Sequence, residues 1–164
     1  MRDCKNSFFT NVQKIPFFPI KNEIKILILD DCLMQQLFLQ QLLLSQELTK
    51  SNISVKCVSS IDEALQYIES SNGLNLIISD IELANGKSGF DFVKKLKEYY
   101  KLENLTLPLL IAISSNDRYE KMALEAGFDA FLKKPLSEQD CGKILSQLSI
   151  EELNNESKPH LRPQ

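Results

Sequence analysis

Asn75-Leu76-Ile77-Ile78-Ser79-Asp80 is an apolar run that ends abruptly in a carboxylate. Apolar residues flanked by turn formers read as a buried strand, and a lone acid where such a strand meets its loop stands at a sheet edge, where open α/β folds place ligands. Asp80 is therefore the candidate reactive group. Ile24-Lys25-Ile26-Leu27-Ile28-Leu29 runs in the same way into Asp30-Asp31, Pro108-Leu109-Leu110-Ile111-Ala112-Ile113 into Ser114, and Phe131-Leu132-Lys133 into Lys134-Pro135. In chain order, four strand ends carry acid, acid, hydroxyl and amine.

Between these runs the sequence alternates with helices. Leu33 to Leu48 reads as a Leu/Gln-rich helix without a breaker, followed by a short strand over Ile53–Val58. Ser60-Ile61-Asp62-Glu63 has the form of a capping box for a helix to about Ser70, and Gly73 suits its left-handed cap. A polar loop over Ile81–Ser88 leads to a helix from about Gly89 to Tyr100, with Phe90, Val93, Leu96 and Lys97 at helical spacing. A fourth helix spans about Asp117 to Ala126 and is stopped by Gly127; a fifth strand covers Ala130 to Lys133. Ser137-Glu138-Gln139-Asp140 opens the last helix, which is expected to end near Ile150. Parallel strands need crossovers, and crossovers are right-handed, so this alternation predicts an α/β fold with a doubly wound five-stranded parallel sheet in flavodoxin-like order 2-1-3-4-5. That order brings Asp30, Asp31, Asp80, Ser114 and Lys134 to one edge.

Residues 1–22 show neither helical nor alternating period and read as an arm holding Phe8, Phe9, Phe17 and Phe18, which docks on its own domain or a partner. Residues 23–150 make the domain; residues 151–164 are polar, contain Pro159 and Pro163, and are expected to be disordered. A net charge of −3 and pI near 5.3 lack the basic face that nucleic acid demands. No apolar stretch reaches the roughly 18 to 20 residues of a membrane span, and no signal peptide opens the chain, so the expected location is the cytoplasm. Cys4, Cys32, Cys57 and Cys141 have no metal-binding spacing, and His160 lies in the tail.

Three carboxylates crowded together repel, so at neutral pH they need a cation or a raised pKa. Hard oxygen ligands suit Mg²⁺, and a carboxylate can attack phosphorus to give an aspartyl phosphate. Phosphoryl transfer depends on positioning and charge neutralisation, which a metal, a lysine and a hydroxyl supply. Each residue alone has a plainer reading: Asp31 as a helix cap, Ser114 as a turn residue, Lys134 as a solvated lysine. Their order on consecutive strands favours the joint reading.

Leu29-Asp30-Asp31, Ser79-Asp80-Ile81, Ile113-Ser114-Ser115 and Phe131-Leu132-Lys133-Lys134-Pro135 resemble the receiver domain of two-component response regulators, over about residues 23–150. The resemblance implies that Asp80 is the phosphoacceptor, that Asp31 binds Mg²⁺ directly and Asp30 largely through water, and that Asp80 and the backbone carbonyl of Glu82 complete the metal set. It further implies that Lys134 pairs with the phosphoryl group, that Ser114 hydrogen-bonds on activation, and that Lys134-Pro135 is cis. Its partners would be a histidine kinase or histidine phosphotransfer protein, and its only chemistry self-catalysed phosphoryl acceptance and slow autodephosphorylation. Asp30-Asp31 followed by Gln35-Gln36 is more like the receivers of hybrid histidine kinases, or stand-alone regulators, than those of transcription factors. Ala84 stands where the family usually has Pro, Gly89 comes about one residue late, and Phe131 occupies a switching aromatic position without a hydroxyl.

With only about fourteen residues after the last helix, no effector domain is expected to follow, and output would pass through protein contacts. At about 100° per residue, Met34, Phe38, Leu39, Leu42 and Leu43 supply a core face for the first helix, while Leu33, Leu37 and Leu44 form a second stripe opposite. Two other readings compete: a receiver-like binding module without phosphotransfer, and a flavodoxin-like enzyme for nucleotide or flavin. The second lacks the Gly-rich phosphate loop after the first strand.

Overall fold

Unbroken Ile/Leu runs have no polar face to leave in water, so they pair as parallel strands covered on both sides. The computed structural model, which describes residues 23–46 and 52–156 with side chains as far as residue 148, has this form. Strands β1 (Glu23–Leu29), β2 (Asn52–Val58), β3 (Leu76–Asp80), β4 (Leu109–Ser114) and β5 (Ala130–Lys133) form one parallel sheet in the order β2-β1-β3-β4-β5. Helices α1 (Leu33–Leu44), α2 (Ile61–Ser70), α3 (Gly89–Leu102), α4 (Glu120–Ala126) and α5 (Glu138–Glu156) connect and follow them.

Alternate residues of β1, β3 and β4 enter two cores. Ile24, Ile26, Ile28, Ile78, Ile111 and Ile113 pack with Leu39 and Leu43 of α1 and Ile144, Leu145 and Leu148 of α5. Leu27, Leu29, Ile77, Leu110 and Ala112 pack on the other side with Ile61 and Ile68 of α2, Phe92 and Leu96 of α3, and Ala123 of α4. Burying each such Ile, Leu or Phe side chain contributes about 1.5–3 kcal/mol. The register pairs Leu29 with Ser79, Asp80 with Ile113 and Ser114 with Lys133. These pairings hold the polar ends of the strands level at one edge.

Several local expectations need correction. Met34 and Phe38 are 73% and 51% exposed and do not belong to the core face of α1, which is Gln36, Leu39 and Leu43. The reason is the small offset of that face around the helix: Gln36 lies within about 60° of Leu39 and Leu43, whereas Phe38 lies about 100° from Leu39. Leu33, Leu37 and Leu44 are exposed, as the second stripe requires, and Met34 and Phe38 are exposed alongside them. Helix α1 stops at Leu44 with Ser45 as its C-cap, short of Leu48, which lies outside the described residues. Phe90 is only partly buried, and Phe92 takes the core position of α3.

The caps show how short polar side chains set helix ends. Ser60 accepts from the Glu63 amide at 3.2 Å, but the Glu63 carboxylate accepts from Ser59 rather than Ser60. The full reciprocal box belongs to Ser88 and Asp91. Gly127 caps α4 at φ +108°, while Gly73, at φ +74°, lies beyond the actual cap Ser71. The fourth helix begins with a 3-10 turn over Asp117–Tyr119, and α5 runs to Glu156, past the expected end at Ile150, because no Gly or Pro falls between Ile150 and Glu156. The aromatic arm, residues 1–22, and residues 157–164 of the tail lie outside the described residues.

Candidate functional site

Asp30 and Asp80 follow or close the central strands β1 and β3 and are 1% and 5% exposed. Buried carboxylates require partners, and both find the same one. Lys134, just past β5, places Nζ 2.7 Å from Asp30 Oδ2 and 2.6 Å from Asp80 Oδ2. Their other oxygens accept backbone amides, Asp30 Oδ1 from Cys32 at 2.8 Å and Asp80 Oδ1 from Glu82 at 3.1 Å. Asp31 is exposed, and Cys32, not Asp31, is the N-cap of α1. Ligand oxygens of Asp30, Asp31 and Asp80 lie within 4.8 Å of one another.

One ammonium cannot neutralise three carboxylates, and the site retains an attraction for a cation. Burial pushes the Asp80 carboxyl above the usual carboxylate range; the hydrogen bond and charge of Lys134 oppose this, as does the Glu82 amide, while the Asp30 charge adds to it. Burial alone would lower the Lys134 ammonium, but the Asp30 and Asp80 carboxylates outweigh it and raise the group above its ordinary value. The donor set of three acidic oxygens around one cleft fits a hard divalent ion such as Mg²⁺. That cleft, of about 490 Å³, is bounded by these three acids, Glu82, Lys134, Ser115 and the α1 residues Gln35, Phe38 and Leu39.

Ser114 ends β4 fully buried, and its hydroxyl lies 3.2 Å from Glu82 Oε2, not against the Asp80–Lys134 pair; Ser115 forms the cleft wall instead. The Lys134-Pro135 peptide is cis. Asn85, in a 3-10 turn over Ala84–Gly86, adopts a left-handed conformation in the loop beyond Asp80. Gly89 opens α3 against β3, where a Cβ would come 2.5 Å from the Asp80 carbonyl oxygen.

Gln36 was not singled out chemically by sequence, yet it is 5% exposed and supports the acidic turn. Its Nε2 donates to Asp30 O, Val58 O and Ser59 Oγ, tying α1 to the ends of β1 and β2. Its place on the Leu39–Leu43 side of the helix was the available signal.

Comparisons with known proteins agree on this architecture. Residues 26–146 match the family described as the response regulator receiver domain. A two-component response regulator of Oryza sativa subsp. japonica, ORR12, is 30% identical over 125 residues, covering 75% of this chain and 96% of that protein. Another from the same subspecies, ORR13, is 29% identical, covering 64% of this chain and 85% of its own length. Among solved structures, the signal receiver domain of an HD domain-containing protein from Pseudomonas fluorescens superposes with a TM-score of 0.64 at 20% identity, covering 88% of this chain and all of that one. The receiver domain of Francisella response regulator 1452 superposes at 0.60 with 21% identity, covering 80% and 98%. At these identities the structural likenesses establish the fold alone.

Proposed function

We propose, from the premise that this chain belongs to the response regulator receiver domain family of two-component signal transduction, that Asp80 accepts a phosphoryl group from a phosphohistidine. The domain is a signalling module rather than an enzyme. The observation that carries the proposal is Lys134 Nζ held between Asp80 and Asp30 inside the three-acid cluster. An Asp80 oxygen attacks phosphorus; the P–O bond forms as the P–N bond to the imidazole breaks, and the imidazole leaves. Lys134 stands where it can pair with a phosphoryl oxygen, and Ser114 supplies a hydroxyl from the neighbouring strand end. Asp30, Asp31, Asp80 and the Glu82 carbonyl would hold Mg²⁺. When bound, the ion neutralises charge on the transferred group.

The donor is a histidine kinase or histidine phosphotransfer protein, and the exposed apolar surface of α1 is its proposed docking face. Phe38 belongs both to that surface and to the cleft wall, so a helix seated there would bring its phosphohistidine beside Asp80. No helix among the described residues is long and apolar enough to cross a membrane; the proposed location is the cytoplasm, where ATP charges the donor histidine. Incubating the full chain with acetyl phosphate and Mg²⁺ should add the mass of one phosphoryl group, and Asp80→Asn should lose it. Undiminished labelling of Asp80→Asn would overturn the assignment.

A further inference from the structure

The Ser114 hydroxyl has one proton to give. Its oxygen already accepts the Asn116 amide at 3.1 Å, and Glu82 Oε2, 3.2 Å away, is the acceptor placed to take that proton. A carboxylate accepts and does not donate. Ser114 is fully buried on β4, whereas Glu82 lies in the exposed loop after Asp80 and also borders the cleft. The two ends of this hydrogen bond therefore differ in freedom: the hydroxyl is fixed, and the carboxylate can swing into water.

We propose that Glu82 is a resting-state latch, a positioning residue that occupies the single Ser114 proton and must yield it when an anion enters the cleft. This rests on the phosphoacceptor reading above and specifies its regulation. A phosphoryl group on Asp80 brings negative charge beside Glu82 and offers Ser114 a second acceptor. Two anions then compete for one donor, and repulsion drives out the mobile one. The Glu82 carboxylate thus opposes the activated arrangement in two separable ways: by its charge, and by its hold on Ser114.

Beryllofluoride, a phosphoryl-like anion, tests this with the full chain and Mg²⁺, in a titration followed through the amide resonances of Ser114 and Asn116. Glu82→Ala should tighten binding by about tenfold when Ser114 is present and by only about twofold in Ser114→Ala, since coupled contacts show this scale of non-additivity. Glu82→Gln removes the charge but keeps an acceptor oxygen, so it should gain only about twofold. Equal gains from Glu82→Ala in both serine backgrounds would reduce the effect to charge repulsion and overturn the latch. Independently of any Ser114 variant, Glu82→Ala without ligand should move the Ser114 and Asn116 resonances toward their liganded positions; unmoved resonances also overturn it. A wild-type chain that neither binds beryllofluoride nor takes label from acetyl phosphate would instead refute the phosphoacceptor reading on which the latch depends.

Discussion

Asp80 and Lys134, 54 positions apart in the chain, meet at 2.6 Å between a carboxylate oxygen and an ammonium. The contact is nearly dry at both ends, with side-chain exposures of 8% and 13%, so removing the ammonium leaves Asp80 beside Asp30 without its counter-charge.

Lys134→Met should therefore make the domain's stability strongly pH-dependent. Asp80 already titrates above its unfolded value because burial disfavours the anion, and losing the Lys134 hydrogen bond and charge moves it further up. The folded state then binds a proton more tightly than the unfolded one, so the variant is most stable below the ordinary Asp range and loses stability as pH rises through the folded value. Melting temperatures of the variant should fall from acid toward neutral pH by several degrees more than those of wild type. Mg²⁺ should recover part of the loss. A parallel pH profile for the two proteins would contradict the electrostatic account.

Much of this site was legible because parallel strands are written as unbroken apolar runs, so their polar ends stand out. Asp30, Asp80, Ser114 and Lys134 each follow or close such a run, and the order 2-1-3-4-5 places those ends together. Helix α1 was misread for the opposite reason. Leucines, Met34 and Phe38 occupy nearly every side of it, so periodicity offers little contrast, and the one informative polar residue, Gln36, points inward. Nor does spacing reveal that Glu82 reaches Ser114: the loop bends Glu82 back through a bridge to Ser88, a tertiary feature with no local signature.

Gln36→Leu tests whether that buried amide is structural support for the acids. The leucine fits the apolar side of α1 but leaves the Asp30 and Val58 carbonyls without their side-chain donor. Each lost buried hydrogen bond costs about 1–3 kcal/mol, so chemical denaturation should show a loss of about 2–4 kcal/mol. Because Asp30 is the residue being held, Mg²⁺ affinity should weaken as well. A stable variant with unchanged affinity would mean that Gln36 only fills space.

Gly89→Ala should damage the site from behind. Its Cβ would stand 2.5 Å from the Asp80 carbonyl oxygen and 3.1 Å from the Ile81 Cα, both backbone atoms that cannot rotate away. Overpacking of this kind costs about 1–3 kcal/mol, and relief requires α3 to back off from β3. Denaturation should report that cost, and acetyl phosphate labelling of Asp80 should slow. Wild-type stability would show that α3 can shift freely here.

The exposed α1 surface separates docking from chemistry. Leu33, Leu37 and Leu44 are 65%, 50% and 52% exposed, on the side of the helix turned away from Leu39 and Leu43. Replacing Leu37 and Leu44 together by Glu leaves the buried side intact, so stability should change by less than about 1 kcal/mol. A small phosphodonor reaches Asp80 without covering α1, and labelling by acetyl phosphate should proceed at the wild-type rate. With the donor docked on α1 as proposed, it buries part of this surface, and introducing two carboxylates opposes that both by lost apolar contact and by desolvation. Phosphotransfer from a phosphohistidine protein should therefore slow by about tenfold or more. Equal slowing with both donors would place the damage in the fold, and full-rate transfer from the protein donor would move its docking site off α1.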